Sequence, residues 1–365
     1  MLRAIVIFAL FIWSLPGWAD QLDTSAGPVQ ITPMIEGLDT PWAVGILPDG
    51  NFVVTEREGK LLFVDGATAK PVKGLPKVAV NGQGGLLDVT IAQDFSRTRE
   101  LFLTFSKPQR GGAGTAVAVA RLSERGDRLT NLRVIFEAMP GGSTGRHFGS
   151  RVVEGNDGTL FVTIGDRGDR PAAQDRSNHM GTVIRINRDG SVPGDNPFVG
   201  QPDIRPEIWS FGHRNPQGAG LDLQGRLWVS EHGAKGGDEV NLIRPGANYG
   251  WPVISYGVHY SGQKIGEGTS KPGMEQPQHY WDPSIAPSGL LVYSGKLWPE
   301  WKGDVFVGSL KFDYIARLSG NPVREVEQIK GPETERVRDI VEAPDGSIWF
   351  ISVGQGAVFR MTPQG

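Results

Sequence analysis

The 365-residue sequence has no cysteine. Disulfide staples are therefore excluded, and stability has to come from packing, which a chain of this length can supply because it buries a sizeable core. Charge of one sign is also lacking. Lys and Arg number 37 against 40 Asp and Glu, a formal net charge of −3, with both signs scattered and no long run of either. That balance argues against a nucleic-acid partner, which calls for a basic face. Stretches of helical period are scarce, and after the first residues no apolar run is long enough to cross a bilayer.

What is present begins with an export pattern. MLRAIVIFALFIWSLPGWAD carries one charge at Arg3, an apolar run from Ala4 to Leu15, a Pro-Gly break and a small residue at Ala19. The run is shorter than the ~20 residues of a spanning helix, so residues 1–19 read as a cleaved signal peptide and the mature chain as periplasmic or secreted. Glycine (51) and proline (26) are abundant while β-branched and aromatic residues remain plentiful, the composition of a turn-rich β-protein.

One unit recurs: a turn followed by an alternating strand. It appears as PDGNFVVTE, NDGTLFVTIGD, LQGRLWVSE, WKGDVFVGS and PDGSIWFIS, with a weaker copy in SRTRELFLTFS. The turns fall near 49, 98, 157, 225, 303 and 345, a mean interval of about 59 residues, close to one four-stranded propeller blade with long connections. The expected fold is all-β: a single six-bladed β-propeller of four-stranded antiparallel blades over residues 20–365. Its inner strands would line a channel, and loops from several blades would build a site at one end.

The polar residues that stand out fall beside different copies of the repeat. His147, in GRHFGS, lies nine residues before the NDGTLFVTIGD strand that Asp166 ends, so adjacent strands can bring imidazole and carboxylate together. Such a pair fixes one tautomer and makes the other ring nitrogen more basic, as a general base requires. Arg214 and Asn215 follow a strand and a Gly-His turn, placing a guanidinium and an amide where carboxylate or quinone oxygens could bind. Lys311, Arg336 and Arg338 add three cations, the last two on one face if the strand alternates regularly. EHGAKGGDEVN offers Asp238, Glu239 and glycine carbonyls, oxygen donors of the kind calcium takes, without EF-hand spacing. Each feature has a plainer reading: a hydrogen-bonding loop histidine, a blade-closing Asn-Pro turn, solvated arginines, a generic acidic Gly turn.

Taken together and in order, NGQGGLLDV, GRHFGS, IGDRGD, GHRNPQG, SEHGAKGGDEVN, GANYGWP, APSG and RVRD resemble the soluble quinoproteins of the glucose and sorbosone dehydrogenase family, above all its aldose sugar dehydrogenase branch. The resemblance runs from residue 37 to residue 346. It implies pyrroloquinoline quinone (PQQ) and calcium as cofactors, an aldose as substrate and an external electron acceptor. His147 would be the general base and Asp166 its orienting partner. Gln83, Arg214, Asn215, Lys311, Arg336 and Arg338 would contact the quinone, with Trp281, and more weakly Tyr260, as aromatics covering it. Gly233 and Ala234 would offer carbonyls to the calcium that also binds the quinone; the glucose-oxidising branch often has proline at the Ala234 position, a change a carbonyl ligand tolerates. Glu239 and Tyr249 would belong to a second calcium site. The implied reaction is oxidation at the anomeric C1 hydroxyl to the lactone: His147 removes the hydroxyl proton while a hydride passes from that carbon to the quinone, and calcium and Arg214 stabilise the developing oxyanion.

Two other classes fit the same fold. A calcium-dependent, lactonase-like hydrolase would need several carboxylates converging on the axis, and a non-catalytic binding propeller would leave His147, Arg214 and Lys311 without a common purpose.

Overall fold

The computed structural model describes residues 21–364. The expected signal peptide, residues 1–19, lies outside the described residues. Six antiparallel sheets follow one another around a ring. Blade one comprises Pro41–Ile46, Phe52–Glu56, Lys60–Asp65 and Thr68–Pro71; blade two Leu86–Ile91, Glu100–Gln109, Gly112–Leu122 and Leu129–Glu137; blade three Val152–Glu154, Leu160–Ile164, Thr182–Ile186 and Ile208–Phe211. Blade four comprises Pro216–Leu221, Leu227–Glu231, Asp238–Leu242 and His279–Trp281, and blade five Pro287–Val292, Val305–Ser309, Tyr314–Ser319 and Arg324–Ile329. Blade six joins the two ends of the chain. Val337–Glu342, Ile348–Ser352 and Ala357–Pro363 are completed by Gly27–Ile35, with Gln21–Thr24 as a fifth strand beyond it. The expected four-stranded blade holds everywhere except at this closure. Among the described residues the only α-helix is the four-residue Phe95–Thr98.

The recurring motif is the second strand of every blade. In five copies the turn glycine (Gly50, Gly158, Gly225, Gly303 and Gly346) has φ between 77° and 91°, a left-handed conformation that glycine adopts at no steric cost. The weaker copy has no such glycine, and Arg99 takes the left-handed position instead, at φ 56°.

Hydroxyls on the second strands of blades one to four tie each of these blades to the next. Thr55 donates to Leu87 O (2.6 Å), Thr104 to Ser150 O (2.6 Å), Thr163 to Pro216 O (3.1 Å) and Ser230 to Ser288 O (2.8 Å). At blade five the equivalent position is Gly308, and Ser288 makes the link itself, to Val337 O at 2.6 Å. A Cβ on Gly308 would stand 2.4 Å from the Ser288 hydroxyl, so the glycine leaves room for the substitute donor. Hydrogen bonds of this kind contribute about 0.5–1.5 kcal/mol each. Apolar packing between sheets does the rest, in six wedges. One, for example, joins Trp42, Phe63, Leu103 and Phe105 of blades one and two, and another Tyr293, Phe306, Phe350 and Phe359 of blades five and six.

Arg151, just before blade three, closes the middle of the channel. It lies 2.9 Å from Asp88 and 2.7 Å from Asp339, and donates to the carbonyls of Gln217 (2.8 Å) and Arg338 (3.2 Å). Four blades thus meet on one buried guanidinium.

Candidate active site

A cavity of about 620 Å³ opens at one end of the channel, within the range of small-molecule sites. Loops supply most of its walls, and irregularities in the inner strands add to them. The pairing register slips between Pro41 and Ala43, Leu86 and Val89, Pro216 and Gly218, and Val337 and Asp339. Trp42, Leu87, Gln217 and Arg338 sit in these slips, and all four line the cavity. A bulge leaves a residue out of the ladder and re-aims its side chain, so one local device repeated around the ring supplies one lining residue from each of blades one, two, four and six.

His147 does not itself line this cavity but adjoins Phe148 and Gln83, which do; its side chain is 12% exposed, with Nδ1 2.6 Å from Asp166 Oδ1. Its backbone is left-handed, at φ 56°. Two contacts hold it there: the His147 N–H donates to Gln83 Oε1 (2.6 Å), and Gln83 N–H returns to Gly145 O (2.7 Å). The loops approach too closely for side chains, since a Cβ on Gly82 would meet Gly145 O at 2.3 Å and one on Gly165 would meet His147 O at 2.3 Å. The glycines of NGQGG, GRHFGS and IGDRGD therefore serve one junction.

Burial alone would raise the Asp166 carboxyl, but hydrogen bonds from His147, from the Gly168 N–H (2.7 Å) and from Trp251 Nε1 (2.8 Å) outweigh it and hold the group below the usual carboxylate range. An ionised Asp166 accepts, so His147 Nδ1 carries the proton and Nε2 is the basic nitrogen. Burial pushes the His147 pKa below its ordinary value, Asp166 opposes that, and Arg214 adds to it. The imidazole is neutral near pH 7.

Arg214 lies beside this pair, its guanidinium 5.3 Å from the Trp251 ring and one nitrogen 3.2 Å from His232 O. Asn215 Oδ1 accepts from Gly149 N–H (3.3 Å) and from Gln217 Nε2 (3.2 Å), so the amide nitrogen is the end left for a ligand. Lys311, Arg336 and Arg338 line the cavity. Arg336 precedes its strand, in left-handed conformation (φ 53°), so it joins Arg338 through a turn and not through the regular alternation expected. Burial pulls the Arg338 pKa down to about 9, with Arg151 adding to the effect. None of Arg214, Lys311, Arg336 and Arg338 forms an ion pair among the described residues. Two buried nitrogens, Arg214 Nε and His232 Nε2, have no hydrogen-bond partner. Of the four cations Arg214 is buried, Arg338 half-buried, and Lys311 and Arg336 exposed; a buried guanidinium with an unpartnered N–H costs free energy unless an anionic, hydrogen-bonding ligand meets it.

The acidic loop builds a second, smaller cavity of about 20 Å³, lined by Glu231, Gly233, Glu239 and Tyr249, enough for one small occupant. Glu231 and Glu239 face each other across paired strands, and Asn241 donates to both at 3.1 Å. Burial and then the Glu231 charge push the Glu239 carboxyl up. The Tyr249 hydroxyl is engaged elsewhere, donating to Leu242 O (2.7 Å), and its ring stacks on His213. Gly233 and Ala234 follow His232, which lines the main cavity. Asp238 turns away, toward Gly233 N–H and Ser284. Among the described residues no group of three or more His, Asp or Glu gathers as a metal site, so the carboxylate-rich axis of a lactonase-like hydrolase is not formed by them.

Two expected aromatics stand elsewhere. Trp281 is buried in the wedge between blades four and five, its indole donating to Glu325 at 2.6 Å, and it does not line the cavity. The strand His279–Trp281 is the outermost of blade four, which carries its side chains away from the axis. Tyr260 is 72% exposed and lines no cavity wall. Aromatic faces at the cavity come instead from Trp42 and Phe148. His232 and Trp251 complete the site without having stood out in the sequence; both lie inside quoted motifs, SEHGAKGGDEVN and GANYGWP, whose partners only the fold reveals.

Comparison with known proteins identifies the family. A family model described as glucose / sorbosone dehydrogenase matches residues 38–360. An aldose sugar dehydrogenase of Escherichia coli is 39% identical over 92% of this chain and 93% of its own length. Quinoprotein glucose dehydrogenase B of Acinetobacter calcoaceticus is 28% identical over 87% and 84%. Among solved structures, the apo form of the E. coli aldose sugar dehydrogenase superposes with a TM-score of 0.88 at 38% identity, covering 92% of this chain and all of its own. The PQQ-bound aldose sugar dehydrogenase of Streptomyces coelicolor shares the fold, with a TM-score of 0.76 at 24% identity over 92% and 98%. With a family model spanning nearly all of its blades and a close relative matched over nearly its whole length, this chain belongs to the glucose/sorbosone dehydrogenase family.

Proposed function

We propose that the protein oxidises aldose sugars at the C1 hydroxyl to the lactone, using PQQ and calcium, and passes the electrons to an external acceptor. One observation carries this reading: Lys311, Arg336 and Arg338 line the main cavity and Arg214 the small one next to it, their side chains in no ion pair among the described residues although Asp313 and Glu335 share the wall, beside a neutral His147 held by an ionised Asp166. The residues fit a flat polyanion. Lys311, Arg336 and Arg338 would hold its carboxylates, with Gln83, Asn215 and the orphaned Arg214 Nε–H as further contacts. The carbonyls of Gly233 and Ala234 would hold calcium at the same ligand, and Glu239 with Glu231 a second ion in the small cavity. The relatives named aldose sugar dehydrogenase and quinoprotein glucose dehydrogenase support the substrate and cofactor classes.

Bound PQQ would supply the electron sink, an electrophilic quinone that the twenty amino acids cannot replace. The chain supplies the rest. His147 Nε2 is placed to take the proton of the sugar hydroxyl, Asp166 holds the ring in one tautomer and stabilises the imidazolium that forms, and Arg214 offsets negative charge developing beside it. Residues 1–19 are read as an export signal, which N-terminal sequencing of the mature protein would check.

The reading is tested by dye-linked oxidation of glucose and other aldoses by purified protein, with and without added PQQ and calcium. Activity that needs both supports it. No activity, with no spectral change on adding PQQ, overturns it.

A further inference from the structure

Asp166 is fully buried, and both of its oxygens are engaged: Oδ1 with His147 and the Gly168 N–H, Oδ2 with the indole N–H of Trp251 at 2.8 Å. Trp251 comes from the long segment after blade four's third strand, 85 residues away in sequence. Its ring is flanked by two guanidiniums, Arg214 at 5.3 Å and Arg170 at 5.4 Å, and its own N–H and carbonyl are bound, to Gly212 O (2.8 Å) and by Gln174 Nε2 (2.7 Å). Arg170 in turn donates to His259 Nδ1 at 2.6 Å. The indole is thus fixed from several sides, and the one polar atom of its side chain is spent on the carboxylate that orients the base.

We propose that Trp251 is a positioning residue for His147: its N–H pins Asp166 Oδ2 so that Oδ1 keeps the direction that holds the His147 ring in the Nδ1–H tautomer, with Nε2 facing the site. A carboxylate held by one oxygen alone can rotate about its Cβ–Cγ bond, and the imidazole follows it. The same ring packs against the Arg214 guanidinium, so one side chain sets the relative placement of the base and the adjacent cation. The inference rests on His147 being the base, and its test separates the two.

Trp251→Phe keeps an aromatic ring and removes the N–H. Expected are a loss of ~10- to 100-fold in kcat with the sugar KM little changed, as for a misplaced base, and no further loss when the change is made in an Asp166→Asn background. In cofactor-free protein, ¹⁵N NMR of His147 is expected to show the Nδ1–H tautomer in the wild type and a mixture in the variant. An unchanged kcat and tautomer, or an equal loss in both backgrounds, overturns the proposal. If Trp251→Phe does not fold, β-(3-benzothienyl)alanine at this position replaces only the N–H by sulfur and gives the same reading. If the wild type oxidises no sugar, the functional reading fails by itself while the NMR comparison still decides the role of Trp251.

Discussion

Arg151 and Asp339 meet at 2.7 Å in the middle of the channel, joining blade three to blade six across the ring, and Asp88 of blade two binds the same guanidinium. The three charges are almost wholly buried. Burial pushes both carboxyls up and Arg151 opposes it. Arg151→Met leaves two buried acids without their cation. A loss of about 3–5 kcal/mol is expected, as for other broken buried pairs, read as a lower midpoint in urea unfolding. A change below 1 kcal/mol would show that the clamp is dispensable.

His147→Ala removes the base and leaves the cations in place. kcat is expected to fall by ~10²- to 10⁴-fold, with PQQ still binding, as followed by its absorption spectrum. Unchanged turnover would sink the assignment.

The acid side of the kcat/KM profile depends on His147. Its pKa is lowered from 6.5 by burial, so the basic form persists to lower pH and the midpoint of the acid limb is expected below 6.5. The sign for stability follows: in the window between the folded value and 6.5 the unfolded chain binds more protons, so this group's contribution is present above 6.5 and is lost as pH falls through the folded value. A pH–rate profile with its acid midpoint above 6.5 would contradict this placement.

Lys311→Ala and Arg336→Ala each remove one cation from the cavity wall. PQQ binding is expected to weaken by about 1.5–3 kcal/mol per substitution, the range for hydrogen bonds to charged groups, and less steeply with added salt than in the wild type. Titration calorimetry at two salt concentrations measures both. Equal affinity for wild type and variants would remove the cations from the quinone site.

Calcium is expected to raise the melting temperature by binding the folded state alone, ~2.7 kcal/mol at a hundred times the dissociation constant. Glu239→Gln is expected to reduce that response, because one of the two carboxylates at the small cavity is then neutral. A full response in the variant would place the ion elsewhere.

The fold was legible because its unit repeats. Five left-handed turn glycines and the strands after them mark five blades, and the sixth copy looked weak because Arg99 does there what glycine does elsewhere. The closure was not legible, since nothing in Gly27–Ile35 announces that its ladder partner is Ala357–Pro363, more than 300 residues on. At the site, His147 and Asp166 were found from their spacing and proved to be in contact. Arg336 and Arg338 share the cavity for a reason other than strand alternation, and Trp281 was misplaced because a Trp in a Pro-rich loop looks the same whether it faces the axis or the outer edge of a blade.

Local chemistry thus belongs to the sequence itself: the turns, the strand period, the absence of cysteine, the scarcity of helical period, and the order of the polar motifs are all short-range properties of covalent neighbours. The tertiary structure decided which of those polar groups meet. Register slips in four inner strands aim Trp42, Leu87, Gln217 and Arg338 at one cavity, and the ring brings Trp251 to Asp166 and Arg151 to Asp339. Such meetings depend on long-range closure and on which face of a bulged strand points inward, and a chain read in order cannot show either.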